Sequence, residues 1–460
     1  MKVRLVQPAQ LNDHGRPIRH KKLFFPSVTL PTVAALTPSG IDVGITNEYV
    51  EDVDFDERVD LVGITAQTCH APRAYQIADE FRKRGTRTIM GGIHASARPD
   101  EALQHFDSVL IGEAENLWEQ ILADARDGCL KSRYIAHEKP DLARLVIPRF
   151  DLIDFKKYVM APLAKTPLIT IQTSRGCPNA CDFCSVSGFF GQKIRSKPTA
   201  HVIREIETVE PSRVFFTDDN IGANPSYAAQ LFSALKPLRL RWACQMSTTI
   251  GRDPKLIEAA AEAGCHETLI GLESLNPRNL AAVHKGFNRI EEYKTLLKRM
   301  ADVGILAQVS VIFGLDEDTV DDLRRMIDTL LEWDINYIYV AILTPFPGTR
   351  LHDRFEAQGR LRTTDLSSYD GAHVVFEPTK MSGPELDAVV WEMFARCYSA
   401  RNIFRRVWRF KRQYTAYFPR DNALEEIFLQ LYMRNAIRRK NHPFSLGPQE
   451  KRDDVGDPSP

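Results

Sequence analysis

The sequence lacks the features of a protein that crosses or spans a membrane. Its 460 residues contain no uncharged apolar run that approaches the roughly 18 residues of a membrane-spanning helix. The first residues, MKVRLVQPAQLNDHGRP, become polar and charged too soon for a secretory signal peptide. We therefore expect a cytoplasmic protein without a transmembrane segment.

An excess of charge of one sign is also missing, since 60 Lys and Arg residues balance 60 Asp and Glu residues. No field of one sign surrounds the whole molecule, which argues against a nucleic-acid substrate. With 43% hydrophobic and 26% charged residues, the composition is that of a globular protein, and the length predicts two or three domains. A small molecule is the substrate class that we expect.

Cysteine is scarce, with eight residues in the chain, yet three of them share the stretch TSRGCPNACDFCSVSG at residues 173–188. A reducing cytoplasm does not favour disulfides, so a tight cysteine cluster predicts metal binding or redox chemistry. The other five cysteines are widely separated and show no second cluster motif.

Residues 1–128 alternate between short strand-like runs and helical stretches. This alternation predicts a Rossmann- or flavodoxin-like domain, in which helices cover both faces of a parallel sheet. The expected strands are KVRLVQ, IDVGIT, DLVGIT, RTIMGG and SVLIGE. Residues 129–165 have weaker periodicity and scattered prolines, so we expect a linker there.

A second alternating series covers residues 166–376 and predicts a partial, TIM-like (β/α)6 barrel with its site at the carboxyl ends of the strands. The expected strands are LITIQTS, RVFFTDD, LRWACQMS, ETLIGLES, LAQVSVIFG and YIYVAILTP. Residues 377–445 have helical periods and predict a small helical region. Residues 446–460 lack an apolar face, and we expect disorder there.

The cysteine stretch follows the first strand of the barrel series and supplies Cys177, Cys181 and Cys184. A structural zinc site normally has four ligands, and no fourth cysteine is near. Three thiolates would instead leave one iron of a four-iron cluster without a protein ligand. At that open position a substrate or cofactor could bind a redox metal.

The motif Cys177-x3-Cys181-x2-Cys184, after the first strand of a six-strand barrel pattern, resembles that of the radical S-adenosylmethionine (SAM) superfamily. The resemblance implies a 4Fe-4S cluster whose unique iron is chelated by SAM. One electron from the cluster would cleave SAM to a 5′-deoxyadenosyl radical, which abstracts hydrogen from an unactivated carbon. An external electron donor of the flavodoxin or ferredoxin type is then implied. An accidental cysteine cluster or a zinc loop is the simpler alternative.

Further matches to this superfamily follow the strand ends of the barrel. Asp218, Asp219 and Asn220 stand where the family holds the SAM amino group, although its usual Gly-Gly-Glu is absent. Glu273 and Ser274 are similar to the polar cluster near the SAM ribose and carboxylate. Two further candidates would lie along the adenine, namely Phe183 between two cysteines and Gly314 after the fifth strand.

The amino-terminal segment, from DFDERVDLVGIT to DSVLIGEAE, resembles the cobalamin-binding domain of the cobalamin-dependent branch of radical SAM enzymes. With the barrel, the resemblance covers roughly residues 1–380. It implies that the loops after the third, fourth and fifth strands contact cobalamin. The candidate contacts are Thr65, Gln67, Gly91, Gly92, His94, Gly112 and Glu113. The simpler alternative is that these glycines only turn the chain.

This sequence lacks the Asp-x-His-x-x-Gly motif by which other cobalamin proteins supply an axial histidine to cobalt. His70 and His94 lie near the expected pocket and are candidates for that ligand. A loop histidine is more often a hydrogen-bonding surface group, and that is what we expect of both.

The pairing of the two domains implies methyl transfer to an unactivated carbon of a small molecule. One SAM would methylate cobalamin and a second would supply the radical. Three alternatives stay open: a rearrangement, transfer of a 3-amino-3-carboxypropyl group from SAM with a structural cobalamin-like domain, and a redox-sensing module without turnover.

The segment ARNIFRRVWRFKRQY carries six cations and no acid, with Ile403, Phe404, Val407 and Trp408 at helical spacing. We expect this apolar stripe to pack on the barrel while the cations stay in water. A contact of the cations with an anionic substrate or a lipid surface is the less favoured alternative.

Overall fold

The structure is a computed structural model that describes residues 1–158, 168–211, 213–333, 335–413 and 421–440. These residues form two six-stranded parallel sheets, a short hairpin, sixteen α-helices and seven short 3-10 helices. The helices are α1 Thr29–Ala35, α2 Ala71–Lys83, α3 Ile93–Ala97, α4 Pro99–Ala102, α5 Trp118–Arg126, α6 Ser185–Phe189, α7 Thr199–Val209, α8 Pro225–Leu235, α9 Pro254–Glu262, α10 Pro277–Ala282, α11 Ile290–Asp302, α12 Val320–Glu332, α13 Arg350–Ala357, α14 Gly383–Cys397, α15 Ala400–Gln413 and α16 Asp421–Arg438.

The amino-terminal sheet has the strand order β2-β1-β3-β4-β5-β6, with every neighbouring pair parallel. Its strands are β1 Lys2–Gln7, β2 Asp42–Asn47, β3 Leu61–Thr65, β4 Arg87–Gly91, β5 Ser108–Ile111 and β6 Arg133–Ile135. Alternate residues of β3 enter separate apolar clusters on the two faces, Val62 and Ile64 on one and Leu61 on the other. Burial of both faces explains why the strands read as nearly continuous apolar runs.

Strand β6 corrects one expectation from the sequence, because it lies within the segment 129–165 that we expected to be a linker. It pairs in parallel with β5 and has a single buried residue, Tyr134, between the exposed Arg133 and Ile135. One buried residue in three gives no periodicity that sequence reasoning could detect.

The second sheet has the strand order β7-β10-β11-β12-β13-β14 and is also parallel throughout. Its strands are β7 Leu168–Ile171, β10 Arg213–Phe216, β11 Arg241–Met246, β12 Cys265–Glu273, β13 Leu306–Phe313 and β14 Tyr337–Ile342. The hairpin β8 Ser174–Arg175 and β9 Arg195–Ser196 is antiparallel and encloses the three cysteines. This is the open six-strand barrel that the sequence predicted.

Asn-Pro and Asp-Pro pairs begin three of the barrel helices. The side chain of Asn224 accepts a hydrogen bond from the Tyr227 N–H at the start of α8, and Asp253 and Asn276 cap α9 and α10 in the same way. Each cap satisfies an N–H group that has no partner within the helix, while the proline that follows is already held near a helical φ. These caps fix where the chain turns from strand end to helix, which is where the site lies.

Helices α14, α15 and α16 form the carboxyl-terminal region, and the predicted disordered tail lies outside the described residues. The prediction that the apolar stripe of α15 packs on the barrel is wrong for half of its members. Ile403 is buried, but Phe404 is 73% exposed and Trp408 is 53% exposed. Arg406 is buried instead, because its guanidinium donates to the Asn336 carbonyl at 2.7 Å. No helix in the described part of the chain is long and apolar enough to cross a bilayer.

Candidate functional site

The three cysteines lie in the loop between β8 and α6, at the carboxyl end of the barrel. Gly176, which precedes Cys177, has a φ of +93°, and a Cβ there would lie 2.5 Å from the Lys193 carbonyl oxygen. Only glycine fits so close to the returning strand. The Cys177 N–H then donates to the Gly191 carbonyl at 3.3 Å, and the Cys184 N–H donates to the Cys181 carbonyl at 3.2 Å. The hairpin therefore holds the loop in a fixed shape.

All three thiols are free and at least partly buried. Burial raises the pKa of Cys177 and Cys181 and raises that of Cys184 to about 11, and the neighbouring cysteines raise the pKa of Cys181 and Cys184 further. Three thiolates can thus be held together only if a bound cation compensates their charge. The described residues contain no group of three His, Cys, Asp or Glu side chains that could hold a single metal ion. The fit to an iron-sulfur cluster rests on the donor chemistry of the three thiols.

A largely buried cation, Lys285, lies beside the cysteine loop. Lys285 forms an ion pair with Glu273, and its ammonium lies 5.8 Å from the centroid of the Phe183 ring, between Cys181 and Cys184 in the chain. Burial lowers the pKa of Lys285, but the Glu273 carboxylate and the Cys181 thiol outweigh burial, so the net shift is upward. The sequence predicted Glu273 and Phe183 here but gave no reason to single out Lys285.

The three polar residues predicted after β10, Asp218, Asp219 and Asn220, have different surroundings. Asp218 is fully buried and accepts from the Thr173 N–H at 2.9 Å and from the Thr173 hydroxyl at 2.7 Å, so its carboxylate fixes the start of the cysteine hairpin. In Asp219, one buried carboxylate oxygen has no hydrogen-bond partner. Burial and then the Asp218 charge raise the pKa of Asp219 to about 7. Asn220 accepts from the Ser247 N–H at 3.1 Å and lines a small cavity of about 160 Å³.

Ser274 and Gly314 are both held by the loops that follow their strands. The Ser274 hydroxyl accepts from the Asn276 N–H at 3.0 Å. Gly314 has a φ of +93° and donates its N–H to Asp318 at 3.1 Å. Both predicted residues lie at strand ends, and the contacts described for them are within the barrel.

A cavity of about 350 Å³ lies at the carboxyl edge of the amino-terminal sheet. Six of the seven predicted cobalamin contacts line it, namely Thr65, Gln67, Gly91, Gly92, Gly112 and Glu113. The barrel supplies part of its wall through Gln172, Arg175, Phe189 and Phe190. The two phenylalanines belong to the end of α6, the helix that begins directly after Cys184. One cavity is therefore bordered both by the sheet loops and by the segment that follows the cysteines.

Glycine at position 92 is required by the shape of this cavity. Gly92 has a φ of +94°, and a Cβ there would lie 2.7 Å from the Thr65 hydroxyl. Without side chains, Gly91 and Gly92 leave room for the backbone of β4 to approach a bulky planar ligand. The residues present thus fit contact with part of a large cofactor such as cobalamin.

The two candidate histidines have different positions. His94 does not line the cavity, since its side chain is fully buried and its Nε2 lies 2.8 Å from the Tyr75 hydroxyl. His70 does line it, but its Nε2 lies 2.9 Å from the hydroxyl of the buried Tyr49. Burial lowers the pKa of His70 to about 4, so the imidazole is neutral near neutral pH. Both side chains form hydrogen bonds, as we expected, but the expected surface position is wrong, since both histidines are buried.

Glu113 joins the cavity to the cysteine hairpin. Its side chain accepts from Arg175 at 2.6 Å and from Arg195 at 2.8 Å, and these arginines belong to the two strands of the hairpin. Arg175 also lies 2.5 Å from Glu115. The sequence named Glu113 as a cofactor contact but missed Arg175, although it is the basic residue that precedes Gly176 and Cys177 in the quoted stretch.

Comparison with known proteins matches three segments of the chain. Residues 30–122 match the B12 binding domain, residues 171–330 the radical SAM superfamily, and residues 349–442 a domain of unknown function, DUF4070. A bacteriochlorophyllide d C-12(1)-methyltransferase of Chlorobaculum tepidum is 32% identical over 391 residues, which cover 83% of this chain and 84% of that protein. The bacteriochlorophyllide d C-8(2)-methyltransferase of the same organism is 29% identical over 441 residues, covering 91% and 94%.

Among solved structures, the cobalamin-dependent SAM radical enzyme OxsB, with aqua-cobalamin and SAM bound, is similar with a TM-score of 0.67. The match covers 94% of this chain and 72% of OxsB at 13% identity, which shows a shared fold.

The fold and the site together define a radical SAM enzyme that carries a B12-binding domain. The chain belongs to the cobalamin-dependent branch of the radical SAM enzymes, whose cofactors are a 4Fe-4S cluster, SAM and cobalamin. This confirms the family, the fold class and the cofactor set predicted from the sequence.

Proposed function

We propose that the protein methylates an unactivated carbon of a small molecule. The observation that carries the proposal is the single cavity whose wall combines the sheet loops Thr65–Gln67 and Gly91–Gly92 with Phe189 and Phe190 of the cysteine hairpin. A methyl donor bound to the sheet and a radical formed at the cluster would both reach a substrate between them. Methyl transfer needs that proximity, because the two reactive groups must act on the same carbon.

Cys177, Cys181 and Cys184 would hold the cluster, and Thr65, Gln67, Gly91, Gly92 and Gly112 would contact cobalamin. When bound, the cluster supplies an electron to SAM and cobalamin supplies a methyl group. Asp219, one carboxylate oxygen of which has no hydrogen-bond partner, would accept from the amino group of SAM.

The remaining predicted residues would support the site in different ways. Glu273 and Lys285 would set the charge next to the cluster. Ser274, Gly314, Phe183 and Asn220 would form the walls against which SAM lies. Glu113 and His94 would position other groups, since their side chains are already taken up by hydrogen bonds within the protein.

The electron would come from a separate protein of the flavodoxin or ferredoxin type, and the enzyme would work in the cytoplasm. What supports the cytoplasmic location is that all eight cysteines, each within the described residues, are free thiols. Reduced thiols and a reducible cluster both require a reducing compartment.

The names of the relatives guide the choice of substrate. Two relatives that match most of this chain methylate bacteriochlorophyllide d by name, at positions C-12(1) and C-8(2). A tetrapyrrole of this kind is therefore the first substrate to test.

The test is anaerobic reconstitution with iron, sulfide and cobalamin, followed by mass spectrometry of the SAM products with and without bacteriochlorophyllide d. We expect 5′-deoxyadenosine and S-adenosylhomocysteine together with a substrate heavier by one methylene group. Methylthioadenosine would indicate aminocarboxypropyl transfer instead. Formation of 5′-deoxyadenosine without S-adenosylhomocysteine would indicate a rearrangement. SAM that stays intact under reducing conditions would indicate a sensor.

A further inference from the structure

Exposed apolar side chains are concentrated on the last two helices. Among the described residues, seven large apolar side chains are exposed, and four of them belong to α15 and α16. These are Phe404 at 73%, Trp408 at 53%, Phe428 at 56% and Leu431 at 51%. The other three, Phe25, Ile135 and Val146, are scattered over the rest of the chain.

Both helices expose these four apolar residues, whereas the guanidinium of Arg405 also donates to the Leu331 carbonyl of α12 at 2.6 Å. On α15 the buried residue Arg406 donates to the Asn336 carbonyl at 2.7 Å, and on α16 the buried residue Gln430 donates to the same carbonyl at 3.2 Å. Between residues 400 and 410, the exposed positions of α15 are 400, 401, 404, 405 and 408, and those of α16 include 428, 431 and 438, so each set lies on one side of its helix. We call the charged and large apolar members of these two sets the C-terminal outer face: Arg401, Phe404, Arg405, Trp408, Phe428, Leu431 and Arg438.

The charge of this face selects the kind of partner. Exposed Arg401 and Arg405 alternate with Phe404 and Trp408 along α15, and no acidic residue occurs between positions 399 and 413. Three further exposed cations, Arg438, Arg439 and Lys440, follow at the end of α16. A second copy of the chain docked through the same face would bring like charges together, which disfavours a dimer and favours an anionic partner.

Aromatic rings beside arginines suit the headgroup layer of a bilayer. Tryptophan and phenylalanine enter the boundary between headgroups and acyl chains, while arginine binds phosphate oxygens through paired hydrogen bonds. We propose that the C-terminal outer face docks the enzyme on a membrane surface that contains anionic phospholipids. The contact is peripheral, because it involves only the outer sides of two helices.

The test is co-sedimentation of the full-length, cluster-loaded protein with vesicles of phosphatidylcholine alone and with vesicles of equal parts phosphatidylcholine and phosphatidylglycerol. We expect binding to the anionic vesicles that weakens as salt is raised. The double variant R401Q/R405Q should lower the partition coefficient about 25-fold, because each cation near the surface contributes about fivefold. The double variant F404S/W408S should also lower it, and V146S, which removes an exposed apolar residue elsewhere, should leave it unchanged.

Three outcomes would overturn the proposal. The first is failure to bind anionic vesicles, whether or not RNA or an acidic protein binds. The second is binding that R401Q/R405Q and F404S/W408S leave unchanged while circular dichroism shows them folded. The third is a concentration-dependent dimer that F404S/W408S abolishes in the absence of vesicle binding, which would make this face a contact between copies of the chain.

Discussion

Lys285 and Glu273 form a buried ion pair at the edge of the cysteine loop. The pair brings a cation within 5.8 Å of the Phe183 ring, close enough to Cys181 and Cys184 for their charges to raise its pKa. Because the reduction potential of an iron-sulfur cluster depends on the charge around it, this lysine is placed to influence how readily the cluster accepts an electron.

Replacement of Lys285 by glutamine should therefore lower the midpoint potential of the bound cluster. The variant loses a positive charge and leaves the Glu273 carboxylate without a partner, and both changes stabilise the oxidised cluster. We expect a shift of about 60 mV, which corresponds to a tenfold change in the equilibrium constant of a one-electron couple. Redox titration followed by electron paramagnetic resonance measures it. Lys285→Arg, which keeps the charge, is the matched control, and an equal shift in both variants would show that packing rather than charge is responsible.

Serine at any one of the three loop cysteines should abolish the stable four-iron cluster, since the remaining two thiolates cannot complete the ligand set. Iron and sulfide analysis after anaerobic reconstitution, with the absorbance of the cluster, measures the loss. Cys129→Ser replaces an exposed cysteine outside the loop and should keep full iron content. Retention of a four-iron spectrum in Cys181→Ser would contradict the assigned ligands.

Glu113→Ala should destabilise the protein by about 3 kcal/mol, because it leaves Arg175 buried without one of its carboxylate partners. The side chain of Glu113 is 1% exposed, and that of Arg175 is 10% exposed. The free energy of unfolding in denaturant measures the change. Glu262→Ala removes the partner of Lys236 in an exposed pair and is expected to have no measurable effect.

Gly92→Ala should weaken cobalamin binding as well as folding. Its backbone conformation costs a non-glycine residue about 1 to 3 kcal/mol, and the new Cβ would also collide with the Thr65 hydroxyl. Gly40→Ala is the matched control, since Gly40 has a φ of +98° but no atom within 4 Å of the added Cβ. Cobalamin titration by absorbance should show weaker binding for the first variant alone. Equal binding by both variants would exclude β4 from the cobalamin site.

Asp318 makes stability depend on pH at a distance from the cysteines. Burial raises its pKa from 3.8 to about 7, so the folded protein holds a proton that the unfolded chain releases. The contribution of this residue to the free energy of unfolding is greatest below pH 3.8 and falls as the pH rises to about 7. At about 1.4 kcal/mol per pH unit, the total fall is a few kcal/mol. Denaturation of the wild type and of Asp318→Asn across this range should show a steeper fall in the wild type, since Asp219, whose pKa is also raised to about 7, contributes to the fall in both proteins. Parallel curves would contradict the raised pKa.

Most of the architecture could be predicted, because buried strands and helices each impose a characteristic spacing of apolar residues on the sequence. The twelve strands of the two sheets include eleven that the sequence identified, and the missed one, β6, has only Tyr134 to bury. Local sequence also determines the start of α10, since its cap involves only the neighbouring residues Asn276, Pro277 and Arg278.

The site was harder to predict, because it depends on residues that are far apart in the chain. Spacing identified the cysteine loop, but Lys285 reaches it from a position about one hundred residues later, and no local pattern marks that approach. The placement of Phe404 and Trp408 could not be predicted either. Periodicity shows that α15 has an apolar stripe. Which side of the helix faces the barrel depends on the bond from Arg406 to the carbonyl of Asn336, about seventy residues earlier in the chain.

The contacts of Arg175 and Arg195 with Glu113 make the barrel and the amino-terminal domain depend on each other. Each strand of the hairpin that encloses the three cysteines donates to a carboxylate supplied by the other domain. A barrel separated from its sheet would keep both guanidinium groups but lose the Glu113 carboxylate that they share. Exchange of the amino-terminal domain between relatives would therefore succeed only where the incoming domain brings an acid to the same place.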